Sequence, residues 1–128
     1  YVQVSKALYV NMDSVEYKET CSRPDVLSRK ILEDTLVILQ KGKIAEAGII
    51  VNALENSKIT VPESYRGSNE DSYYRIMCSY EEAEVIADYL FDKEAESVPA
   101  SGKTTSETSR LVVLVNAWHE LTDYVQNV

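Results

Sequence analysis

The chain has 128 residues, 45% of them hydrophobic and 27% charged, with a net charge of −8. That length points to one domain over residues 1–128, because two independent cores would each be too small. The acidic balance argues against nucleic-acid binding by direct phosphate contact and against docking on anionic lipid, since both need a cationic surface.

Cys21 and Cys78 are the only cysteines, a count that fits reduced thiols rather than a disulfide framework. The longest unbroken apolar run, Leu111 to Val115, is far short of the roughly 20 residues that a membrane span needs. The sequence as given does not open on a basic-then-apolar leader. The expectation is therefore an intracellular, cytoplasmic protein without a membrane partner.

In chain order, Val2, Val4, Leu8 and Val10 fall on one face of an alternating segment. Asn11 to Ser14 carries turn chemistry, and Val15, Tyr17 and Cys21 alternate again, so the pattern predicts an N-terminal β-hairpin. Ser22-Arg23-Pro24-Asp25 reads as a helix start, with a hydroxyl cap and Pro in the first turn. The predicted helix runs from Arg23 to about Gln40 and carries two apolar stripes. Leu27, Ile31 and Ile38 form one, and Leu32, Leu36 and Leu39 the other, so it should sit between layers. A rival reading ends it near Asp34 and makes Leu36 to Leu39 a buried strand. Gly42 is placed to take the left-handed conformation that stops a helix.

A second helix is predicted from about Lys43 to Asn56, with Ile44, Ala47, Ile50, Val51 and Leu54 facing inward. Gly48 inside it implies close packing. Lys58 to Val61 reads as a short strand before Pro62, residues 62–72 as a polar loop, and Tyr73 to Cys78 as another strand. Ser79 with Glu82 forms a capping box that opens a helix from Tyr80 to about Glu96. Residues 97–104 are loop, and a long final helix runs from about Thr105 to Asn127. The class is α+β: a small antiparallel sheet, made of the N-terminal hairpin and two further strands, packed on about four helices.

Charge is unevenly spread. The first 64 residues carry a net −1 and the last 64 a net −7, with seven acids between residues 81 and 96 against Lys93 alone. At 100° per residue, Glu81, Glu84, Asp88, Asp92 and Glu96 share one helix face. Like charges at that spacing repel by a few tenths of a kcal/mol per pair. The face is therefore a candidate surface for a basic protein partner, beside its ordinary role in solubility.

Ser101-Gly102-Lys103-Thr104 resembles the end of a phosphate-binding loop, but Ser97 stands where the loop needs Gly and no buried strand precedes it. What survives is an anion contact from Lys103 and Thr104 at the start of a helix. Tyrosine is abundant, at nine residues against one Phe and one Trp. Tyr65, Tyr73 and Tyr74 surround the loop carrying Arg66, and Arg66 with these rings suits a planar, nucleotide-like anion. His119 and Asp123 are spaced to present two metal ligands, fewer than a specific zinc site requires, so no metal and no cofactor is expected. No nucleophile motif accompanies the single histidine, and no catalytic residue is assigned.

The last helix carries Leu111, Leu114, Trp118, Leu121 and Val125 at alternating spacings of 3 and 4, the pattern of a heptad seam. A helix of about 22 residues spans roughly 33 Å, more than a small domain needs to cover its own core. The expectation is that one part of this helix packs at home and another meets a partner helix or a copy of the chain, making a homo-oligomer. The leading functional expectation is a non-enzymatic, acidic, regulatory binding protein. A binder of a small anionic ligand comes second, and a small enzyme of unknown reaction third.

Overall fold

Two runs of backbone pairing more than forty residues apart bring the ends of the core together. In the computed structural model, which describes residues 13–62, 72–103 and 105–127, Val26–Ser28 (β1) pairs antiparallel with Tyr73–Arg75 (β2). The register sets Val26 opposite Arg75, Leu27 opposite Tyr74 and Ser28 opposite Tyr73. Five helices complete the described residues: α1 (Ser14–Cys21), α2 (Arg29–Lys41), α3 (Ala47–Asn56), α4 (Tyr80–Ser97) and α5 (Ser106–Gln126). The protein is thus mostly helical, with a small two-stranded antiparallel sheet.

The N-terminal hairpin is corrected by α1. Its first strand lies outside the described residues, and its second is a helix. Asp13 is not a turn residue but the N-cap, its carboxylate accepting the Glu16 N–H at 2.8 Å. Tyr17 and Cys21 lie four apart, a spacing shared by a strand face and a helix face, which is why alternation misleads here. Tyr17 packs with Val26 and Ile59 in a small second core, while Val15 is exposed.

The helix start also moves. Pro24 lies in the turn after α1, Val26 to Ser28 is strand, and Ser28 caps α2 through its hydroxyl to the Ile31 N–H. Residues 36–39 are helical, so the strand alternative is set aside. α2 packs against α3, α4, α5 and β1, as its two apolar stripes require. At its end Lys43, not Gly42, takes the positive φ of 55°. Gly42 has another reason to lack a side chain: a Cβ there would overlap the Tyr89 hydroxyl.

The second predicted helix begins later, at Ala47, because Ile44 to Glu46 forms turns whose backbone bonds span three residues. Gly48 is exposed, and a Cβ on it would meet nothing within 4 Å, which corrects the inference of close packing. The predicted strand at Lys58 to Val61 is a single antiparallel bridge, Lys58 to Tyr74. β2 is likewise three residues, with Ile76 to Cys78 outside it. The sheet is therefore smaller than the four strands expected from the sequence.

The two long helices follow their sequence signals closely. Ser79 and Glu82 form the capping box at 2.8 and 3.1 Å, and Thr105 caps α5. Ser97 meets Thr108 at one end of the pair and Tyr80 feels the charge of Asp123 at the other, so α4 and α5 run antiparallel. Between them and α2 lies the main core. Its centre is Trp118, fully buried, whose indole N–H donates to the buried Thr35 hydroxyl at 3.1 Å. Thr35 donates in turn to the Ile31 carbonyl at 2.7 Å, so this buried contact is fully partnered. No helix among the described residues is long and apolar enough to cross a membrane.

Candidate functional site

The acidic face of α4 forms as the sequence predicts. Ala83, Ile86, Ala87 and Leu90 are buried against the core, and this turns Glu81, Glu84, Asp88, Asp92 and Glu96 outward, all exposed. Val85 and Phe91 lie among them with 42% and 47% of their surface exposed. Phe91 leans toward His119 of α5, ring centroids 6.4 Å apart and planes tilted by 53°. The Tyr80 hydroxyl donates to Glu84 at 2.8 Å. That bond, and then the charges of Glu84, Asp123 and Asp88, push its pKa up. The bond is the main cause, and acids of both helices add to it. Lys93 is the one cation on α4, and it is turned to Glu96 at 3.2 Å and over the Tyr89 ring at 5.2 Å.

The other predicted ligand residues are scattered. Tyr65, Arg66 and Thr104 lie outside the described residues. Tyr73 packs on the small core of Tyr17, Val26 and Ile59. Tyr74 is buried, its hydroxyl accepting from Arg29 Nε at 3.2 Å. Packing thus removes the Tyr74 ring from a ligand surface, while Tyr73 is half-buried. Lys103 is exposed in the loop after Gly102, whose φ is +77°. α4, not a strand, leads into this loop, so it lacks the strand–loop–helix frame of a phosphate loop.

The seam on α5 is corrected by burial. Leu111, Leu114, Trp118 and Leu121 are buried in the chain's own core and Val125 is half-buried. The 3-and-4 spacing is that of any helix stripe facing a core, and α4 with α2 supplies the surface that fills it.

Two arrangements carried no signal in the sequence. Asp25 is buried, and its carboxylate takes two bonds from Arg23, at 3.0 and 2.8 Å, with Arg75 Nε 3.5 Å away. Arg23 also lies over the Tyr124 ring at 5.9 Å. These groups, with Ile76, Met77, Cys78 and Val125, line a cavity of about 340 Å³. The Cys78 thiol there is pushed up to about 11, first by burial and then by Glu82 and Asp25, which keeps it protonated and a poor nucleophile at neutral pH. Burial likewise pushes the Cys21 thiol up. The second arrangement is a larger cavity between the end of α2, the later turns of α4 and the start of α5. No group of three or more metal-ligating side chains occurs among the described residues. Comparison with protein families, with curated proteins and with solved structures gives no match.

Proposed function

We propose that the protein is a non-enzymatic binding module that engages a basic protein segment through the exposed face of α4. The observation that carries this reading is the composition of that face: five exposed carboxylates with Val85 and Phe91 exposed among them. Carboxylates alone would serve solubility. Interleaved apolar side chains add contact area that a basic amphipathic segment buries while its Lys or Arg residues meet the acids. Asp123 extends the negative field onto α5. The seam of α5 takes no part, because its apolar side chains line the core. The setting is reducing and cytoplasmic, which fits Cys21 and Cys78 as separate free thiols.

The test is calorimetric titration with a synthetic amphipathic helix of Lys and Leu at several salt concentrations. Reversing Glu84 and Asp88 to Lys should weaken binding about tenfold or more and flatten its salt dependence. Reversing Glu16 and Glu19 on α1 changes the net charge by the same amount and should leave most of the affinity. Equal losses from both pairs would show attraction to net charge alone and overturn the reading.

A further inference from the structure

We infer that the cavity between α2, α4 and α5 is a binding site for a small phosphate monoester of about nucleotide size. Its volume is about 560 Å³, inside the ~300–1,000 Å³ range of small-molecule sites. Three cations line it, Lys41 from α2, Lys93 from α4 and Arg110 from α5, against two carboxylates, Glu96 and Glu107. In a chain of net charge −8, this is a local reversal of sign. Lys93 is engaged with Glu96 at 3.2 Å and rests over the Tyr89 ring. Lys41 and Arg110 form no ion pair among the described residues, and both are exposed.

Two cations from different helices, on one cavity, suit a dianionic phosphate better than a single carboxylate. Arg supplies a planar fork for two phosphate oxygens and Lys a point charge for the third. The rest of the wall is suited to the body of the ligand. Val37 and Ile38 offer apolar surface beside the edge of Leu111, Val37 with 59% of its own surface exposed. Glu107 is placed to meet hydroxyl or amino groups on that body. Gly42 and the ring of Tyr89 approach closely where the end of α2 meets α4 on the cavity wall. Glu96 ends the acidic face and also borders this cavity, but Lys41 and Arg110 lie on other helices, so the site does not depend on the proposed partner.

The experiment is titration calorimetry with AMP, UMP, glucose 6-phosphate, adenosine and inorganic phosphate as probes, with melting temperatures measured in parallel. At least one of the three monoesters should bind and raise the melting temperature by mass action. Adenosine lacks the charge and should not bind, and inorganic phosphate lacks the body and should bind at least about tenfold more weakly. Lys41→Glu with Arg110→Glu should abolish binding, whereas Lys18→Glu on α1 should not. Val37→Trp, which fills the cavity without changing charge, should abolish it too; all are exposed positions, and circular dichroism verifies that each variant is folded. No binding by any of the three monoesters overturns the proposal. So does binding that survives either cavity variant, or inorganic phosphate binding as tightly as the esters.

Discussion

The α4–α5 hairpin and the strand layer of α1, β1 and β2 are built on opposite principles. In the hairpin, elements of 18 and 21 residues repeat their instructions every turn, and each end carries its own cap. In the strand layer, three-residue strands hold because of partners far along the chain, as Arg29 meets Tyr74 across 45 positions. The hairpin's helices are therefore local decisions made stable by packing, whereas the strand layer exists only once the chain has closed. Function divides along the same line. The acidic face is a property of one helix, but the phosphate-sized cavity needs three.

The largest loss of stability is expected at the hairpin's centre. Trp118→Ala removes a fully buried indole and leaves the Thr35 hydroxyl without its donor, at an expected cost of roughly 3–5 kcal/mol. Denaturant unfolding should read the loss. Hydrogen exchange should quicken in both regions, because α2 also rests on this residue.

A smaller effect should stay within the strand layer. Asp25→Ala removes the carboxylate that holds Arg23 and lies beside Arg75. Because both guanidiniums are about one-third exposed and partly screened, we expect a cost of about 1–3 kcal/mol. The amides of Ile59 and Ile76 should exchange faster, while those in the middle of α4 and α5 should not. Equal acceleration in both regions would mean that the two layers unfold as one unit.

The smallest effect has the opposite sign. Gly48→Ala on the exposed side of α3 meets no neighbour and should stabilise by up to about 1 kcal/mol. A destabilisation, measured by the same unfolding curves, would show that α3 packs more tightly than this structure has it.

Legibility followed the same division. The sequence places α4 at Tyr80 to Glu96 and α5 at Thr105 to Asn127, and the structure ends each within one residue of those limits. In the first half, Ser22 and Ser28 both offer a hydroxyl and a following helical pattern. The choice between them rests on Val26 and Leu27 pairing with Arg75 and Tyr74, which no local pattern encodes. The candidate sites divide likewise. The five acids of α4 were readable by angle alone, but Lys41, Lys93 and Arg110 share a cavity only after three helices meet.

What the sequence by itself determined was the helical periodicity of α4 and α5, the cap at Ser79, the net negative charge and the face on which it gathers. These depend on residues within a turn or two of one another, where spacing dictates geometry. Tertiary structure alone decided that the 3-and-4 stripe of α5 faces the core, that Tyr74 packs inward, and that Gly42 lies against Tyr89. A periodic apolar stripe states only that a face must be covered. Which surface covers it depends on contacts across the whole chain, and these form only on folding.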